Sequence, residues 1–302
     1  MKTMKKYFAY ILILVGVVAY GIYTGIQKQG VQFITDPIAF AFYMMVYCSL
    51  FILPFAVYSF IKLKDKRIVL NKPIISYLIL ISLLTSFLGL IMKLHALTLT
   101  SATSIAFITS FSSIALSIFS VLILKEKLPK KFFVILLFMC FGLALFRYKG
   151  QGFEFTFGLG EMLALIFTSL ASLANSIAKL VMNKKIPPFI TSFGRMIFAV
   201  PVLGIIVWLN GSFDKNQLFS IWPILTGFLF AARSITFYSG VNLIKLSNVA
   251  VFSVFAPLVT FTYAFIVLGE KLNYIQLIGG FIILTGAYLI ALIKRNKREF
   301  QS

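Results

Sequence analysis

The chain has 302 residues, of which 60% are hydrophobic and 12% charged, with a mean hydropathy of +1.00 and a formal net charge of +20. So few charges cannot coat a soluble globule of this size, which excludes a water-soluble domain. The basic excess does not point to a nucleic-acid partner, because the Lys and Arg residues cluster between apolar runs and form no aromatic-interleaved patch.

From the N-terminus, apolar runs of about 17–25 residues, each long enough to cross a bilayer, predict ten spans. They lie near 7–27, 37–61, 73–97, 100–124, 132–148, 158–182, 190–209, 220–243, 247–269 and 274–293. Helices are expected, since each satisfies its own backbone in lipid and the alternation of a β-barrel is missing. Span one follows Lys2, Lys5 and Lys6 and imitates a signal peptide. No small-x-small cleavage site follows it, so it reads as a retained helix. It carries Gly16, Tyr20, Thr24 and Gln27 on one face, and Gly21-x-x-x-Gly25 as a close-packing site. Span three aligns Ser82, Ser86, Gly89 and Lys93, with the single histidine, His95, pointing away from that face. Span four is crowded with hydroxyls, Ser101 to Ser120, some of which must bond back to their own helix.

The polar link Tyr148–Phe157 divides the chain into segments 1–150 and 151–302. Beyond it, span six places Glu161, Thr168, Ser172, Asn175 and Lys179 within about 60° of one another. Lys179 and Arg195 sit near span ends, where long side chains snorkel. Span eight aligns Thr226, Arg233, Thr236 and Gly240, and Pro257 removes a backbone donor within span nine. Polar faces of this kind turn toward protein or a water-filled cavity, because a charge facing lipid is expensive. Packing between helices accounts for many of the Ser, Thr and Gly residues. Lys93, Arg233 and Glu161 fit a water-filled cavity better. Cys48 and Cys140 fall inside spans and predict no disulfide.

With the N-terminus inside, the inner segments hold nineteen Lys and Arg residues and the outer segments five, among them Lys28. This asymmetry predicts cytoplasmic termini in a cell (inner or plasma) membrane. Residues 94–128 and 238–272 also overlay without gaps, with seven identities: Leu99/Leu243, Ala106/Ala250, Phe111/Phe255, Leu124/Leu268, Glu126/Glu270, Lys127/Lys271 and Leu128/Leu272. Five spans per half make the halves inverted-topology repeats. Glu126 and Glu270 precede spans five and ten, where a carboxylate interacts favourably with the helix dipole.

Lys125-Glu126 and Gly269-Glu270 at span ends, Ala256-Pro257 in span nine, Tyr20-Gly21 in span one and Arg195 in span seven give the whole chain its resemblance. It resembles the EamA-type transporters of the drug/metabolite transporter superfamily. That resemblance implies an all-α membrane fold of two five-helix repeats. It also implies a small-metabolite substrate, most often an amino acid or related compound, with export the commoner direction.

A secondary transporter working by alternating access is the leading expectation. No G-x-x-x-x-G-K-[ST] loop is present for ATP hydrolysis, and no metal or cofactor site is called for. The expected substrate-binding residues are Lys93, Arg233, Glu161, Asn175, Ser172, Ser86 and Tyr20. Two cations and a carboxylate suit an amino acid or other anionic metabolite, with Glu161 left for an ammonium group or a coupling proton. A structural Arg233–Glu161 pair is the competing account of those charges. A sugar-phosphate or nucleotide-sugar carrier remains open. From other classes, a channel remains, as does a membrane-embedded enzyme, for which no nucleophile–base pair is visible.

Overall fold

The computed structural model describes residues 2–65, 71–124, 131–146, 148, 158–241 and 254–299, and these are helical almost throughout. The first half contributes α1 (Lys2–Phe33), α2 (Pro37–Asp65), α3 (Lys72–Leu99), α4 (Ala102–Ile123) and α5 (Lys131–Phe146). The second contributes α6 (Leu159–Asn183), α7 (Pro188–Leu209), α8 (Ile221–Val241), α9 (Ala256–Val267) and α10 (Tyr274–Glu299). Among the described residues, seven helical stretches are long and apolar enough to cross a membrane, and three shorter apolar helices accompany them. The cluster Lys125–Leu128, with Glu126, falls outside the described residues, as do most of the link between the halves and the first part of span nine.

Local chemistry sets several boundaries. Asp36 accepts the Ile38 N–H at 2.8 Å just ahead of Pro37, and Asn71 accepts that of Ile74 at 3.2 Å with Pro73 in the first turn. Ser101 accepts the Ser104 N–H at 2.9 Å and starts α4 only two residues after α3 ends. Inside α4 the helix breaks at Ser110–Phe111, where hydroxyls of Thr109, Ser110, Ser113 and Ser117 bond back to carbonyls of their own chain. α9 begins at Ala256 after a turn at Val254–Phe255, the position that overlays the α4 break, with Pro257 in its first turn. α7 breaks at Phe198, three residues before Pro201.

Most packing runs between the halves. α1 lies against α8 and α9, α6 against α3 and α4, α2 against α7 and α8, α3 against α7, and α5 against α10. Gly21 and Gly25 receive Val259 and Tyr263 of α9, and the Thr260 hydroxyl donates to the Gly21 carbonyl at 3.0 Å. α5 and α10 meet backbone to backbone, because Gly279 lies against Gly142 and Phe146 with no room for a Cβ. Large apolar side chains such as Leu137, Trp208 and Phe281 stay on the outside of the bundle. That distribution suits a lipid solvent.

Two expectations need correction. Lys28 is not in an outer loop. It lies in α1, which continues to Phe33, and its ammonium reaches the carbonyls of Leu97 and Thr100 at the end of α3. Glu270 does not serve the helix that follows it. Its carboxylate accepts the Ala102 and Thr103 N–H groups, so it caps α4 instead.

Candidate functional site

The centre of the bundle is built around Lys93. Its helix, α3, passes through a π-helical turn at Leu83–Gly89. There the Leu84 carbonyl comes so close to Gly89 that a Cβ would sit 2.7 Å from it, which only glycine allows. π-Turns inside helices occur frequently at functional positions. One turn further on, Lys93 is 2% exposed.

Its ammonium donates to Thr24 Oγ1 at 3.1 Å and lies 4.7 Å from the Tyr23 ring centroid, 5.4 Å from that of Tyr20 and 5.7 Å from that of Phe167. Arg233 of α8 sets its guanidinium carbon 4.2 Å above the same Tyr20 ring and 5.9 Å from Phe230. Tyr23 stacks on Tyr20 at 5.9 Å and meets Phe230 at 5.3 Å. Two cations from different halves therefore lie against one aromatic cluster, with ring quadrupoles stabilising both in a poorly solvated place.

Gln27, one turn along α1, donates to the Tyr23 hydroxyl at 2.7 Å and to Met44 Sδ at 3.5 Å. Its own carbonyl oxygen is buried and finds no hydrogen-bond partner among the described residues. Such a group costs free energy unless something else reaches it.

The other expected residues occupy separate neighbourhoods. Glu161, 8% exposed, accepts from the Thr100 hydroxyl at 3.3 Å. It lines a cavity of about 340 Å³ with Thr100, Ser101, Ser104, Phe146 and Gln276. α3 and α6 run antiparallel there, with Thr100 beside Gly160 and Gly89 beside Phe167. Glu161 is thus about 9 Å along α6 from the level of Lys93, counting six residues at 1.5 Å each. Ser172 is buried and its hydroxyl bonds to the carbonyls of Thr168 and Ser112, an α4–α6 packing contact. Asn175 accepts from Arg195 Nη1 at 3.4 Å and is exposed, although Thr168 and Ser172 on the same stripe are buried. Ser86 is buried in the π-turn.

The structure therefore brings together Tyr20, Lys93 and Arg233, and spreads Glu161, Ser172 and Asn175 along the length of α6. Tyr23, Phe167 and Phe230 are not legible as site residues from polar stripes, because aromatic rings do not stand out in a polarity pattern. Tyr23 lies three residues from Tyr20, a spacing that places side chains together on a helix, and that was the available signal.

A family model described as the EamA-like transporter family matches the chain twice, over residues 7–148 and 158–292. One solved structure, described only as "Crystal structure of protein", is similar over 94% of this chain and 97% of its own, with a TM-score of 0.63 at 14% identity. That likeness shows the fold alone. No curated protein matches the chain.

Proposed function

The chain belongs to the EamA-like transporter family, a membrane transporter of the drug/metabolite type, and from that premise we propose a secondary transporter of small anionic or zwitterionic metabolites. Amino acids and related compounds are the first substrate class, moved outward. Ten helices form two inverted five-helix repeats, and alternating access exposes one central site to either side. The helix contacts support this reading. Under the overlay of the halves α1 corresponds to α6, α3 to α8 and α4 to α9, and the α1–α8 and α1–α9 contacts have counterparts in α6–α3 and α6–α4. The charge asymmetry supports cytoplasmic termini in the cell membrane.

The observation that carries the proposal is the placement of Lys93 and Arg233 over Tyr20, from the corresponding helices of the two repeats. A carboxylate entering between an ammonium and a guanidinium gains charge-assisted hydrogen bonds while the aromatic rings exclude water. The same pair suits a phosphate, so a sugar-phosphate carrier is the second reading.

The test is ligand-induced thermal stabilisation of detergent-purified protein against amino acids, sugar phosphates, nucleosides and cationic drugs. A ligand at a hundred times its Kd stabilises by about 2.7 kcal/mol. The expected result is stabilisation by a compound bearing a carboxylate or phosphate, lost in Lys93→Gln and Arg233→Gln. Stabilisation by cationic compounds alone, undiminished in both variants, would overturn the proposal.

A further inference from the structure

The two-residue turn joining α3 to α4 is held by charged side chains from three other parts of the chain. Lys28 of α1 donates to the carbonyls of Leu97 and Thr100, which α3 leaves unpaired at its C-terminus. Glu270, in the link between α9 and α10, accepts the N–H of Ala102 at 2.8 Å, the N–H of Thr103 at 3.0 Å and the Thr103 hydroxyl at 2.6 Å. Glu161, in the first turn of α6, accepts from Thr100. Water satisfies exposed helix ends at little cost. Here the partners are charged side chains of α1, α6 and the link between α9 and α10, and charge-assisted bonds of this kind are about twice as strong as neutral ones. The turn cannot lift without separating them.

Two further observations concern what lies beside the turn and behind it. The cavity of about 340 Å³ lined by Thr100, Ser104, Glu161 and Gln276 lies directly beside it. The segment behind it, Ala102–Thr109, is a separate two-turn helix, because α4 breaks at Ser110–Phe111. Hydroxyl bonds satisfy carbonyls around that break within the chain, so a change of angle there exposes little unpaired backbone. Toward the far end of α6, Asn175 is exposed, whereas Glu161, Thr168 and Ser172 on the same stripe are buried. Glu161, at the end where Glu270 grips α4, is buried, and Asn175, where it meets Arg195, is exposed.

We propose that Glu270 is the latch of a gate at this end of the transporter. Its three bonds to the first turn of α4 hold Ala102–Thr109 closed over the cavity. Their release lets that segment pivot at Ser110–Phe111 and connects the cavity to the level of Lys93. The proposal rests on the alternating-access reading, but its test needs neither a known substrate nor a known orientation.

In a background with Cys48→Ala and Cys140→Ala, two reporter cysteines are placed singly. Ser104→Cys lies in the cavity and Asn175→Cys at the far end. The rate of reaction with a small maleimide is measured on detergent-purified protein, where both ends are accessible. With Glu270→Gln, the Ser104→Cys reporter is expected to react at least fivefold faster and the Asn175→Cys reporter more slowly. Thr103→Val, which removes only the hydroxyl bond, should shift both rates in the same directions by less, and it carries the test if Glu270→Gln fails to fold. Unchanged rates, or rates that rise together at both reporters, would show a plain structural cap and overturn the latch. A reciprocal shift in protein that no tested metabolite stabilises would uphold the latch while counting against the proposed substrate class.

Discussion

Lys93 carries a large energetic burden at the centre. An ammonium at 2% exposure in the middle of an apolar bundle loses several kcal/mol of hydration, and the Thr24 hydroxyl and three aromatic faces return part of it. Replacing a buried ion pair by apolar side chains of similar volume is often neutral or stabilising, and the contacts of Lys93 are a hydroxyl and three rings, so its removal strands no carboxylate among the described residues. Lys93→Met is therefore expected to keep or raise the melting temperature of the purified protein while abolishing stabilisation by anionic ligands. A fall equivalent to about 3 kcal/mol or more, the cost of breaking a buried pair, would instead make Lys93 a structural residue. Thr24→Val removes one hydrogen bond to the ammonium, worth about 1.5–3 kcal/mol. If that bond orients Lys93 toward ligand, the Kd should rise about tenfold or more, and a Kd within twofold of the parent would contradict this. Helical periodicity put Tyr20, Lys93 and Arg233 on interior faces of three helices, and the structure sets both cations over one tyrosine. It also put Glu161, Ser172 and Asn175 on one stripe, but a shared face says nothing of depth. From Glu161 to Asn175 that stripe runs about 21 Å at 1.5 Å per residue.

At the scale of elements, hydropathy located most of the helices, because a span of lipid-compatible length is written directly in composition. It did not reveal the π-turn of α3, which depends on backbone geometry at Gly89, nor the break within α4 and the turn before α9 at the overlaid position. In α4 hydroxyls compete for carbonyls at that position, and α9 carries a proline in its first turn just after it. The unrelated side chains hid a common feature from sequence comparison. The π-turn makes a prediction of its own. Gly89→Ala places a Cβ against the Leu84 carbonyl, so the turn must rewind and rotate Lys93 relative to Tyr20. Stabilisation by anionic ligand should then weaken at least tenfold with the protein still folded. Parental ligand affinity would show that the π-turn does not position Lys93. The contact between α5 and α10 tolerates still less. Gly279→Leu must push two backbones apart, and it is expected to abolish the monodisperse gel-filtration peak. A normal peak and melting temperature would mean that the two helices do not pack this closely.

For the whole molecule, the double match to one family model and the paired helix contacts both describe a protein made of two similar halves. If those halves are inverted, single cysteines at Lys127 and Lys271 must react with an impermeant thiol reagent from opposite sides of the membrane. Reaction from the same side would remove the inversion. Inversion matters because it lets two similar halves exchange conformations around one site, and that exchange is the proposed mechanism. The most direct test is transport itself. Purified protein in sealed vesicles, without nucleotide, is loaded with the carboxylate or phosphate compound that stabilises it best, and uptake of the labelled compound from outside is followed. The account predicts accelerated exchange in the parent protein and exchange at the rate of protein-free vesicles in Lys93→Gln and Arg233→Gln. Exchange at the parental rate in both variants, or a strict requirement for added ATP, would contradict it.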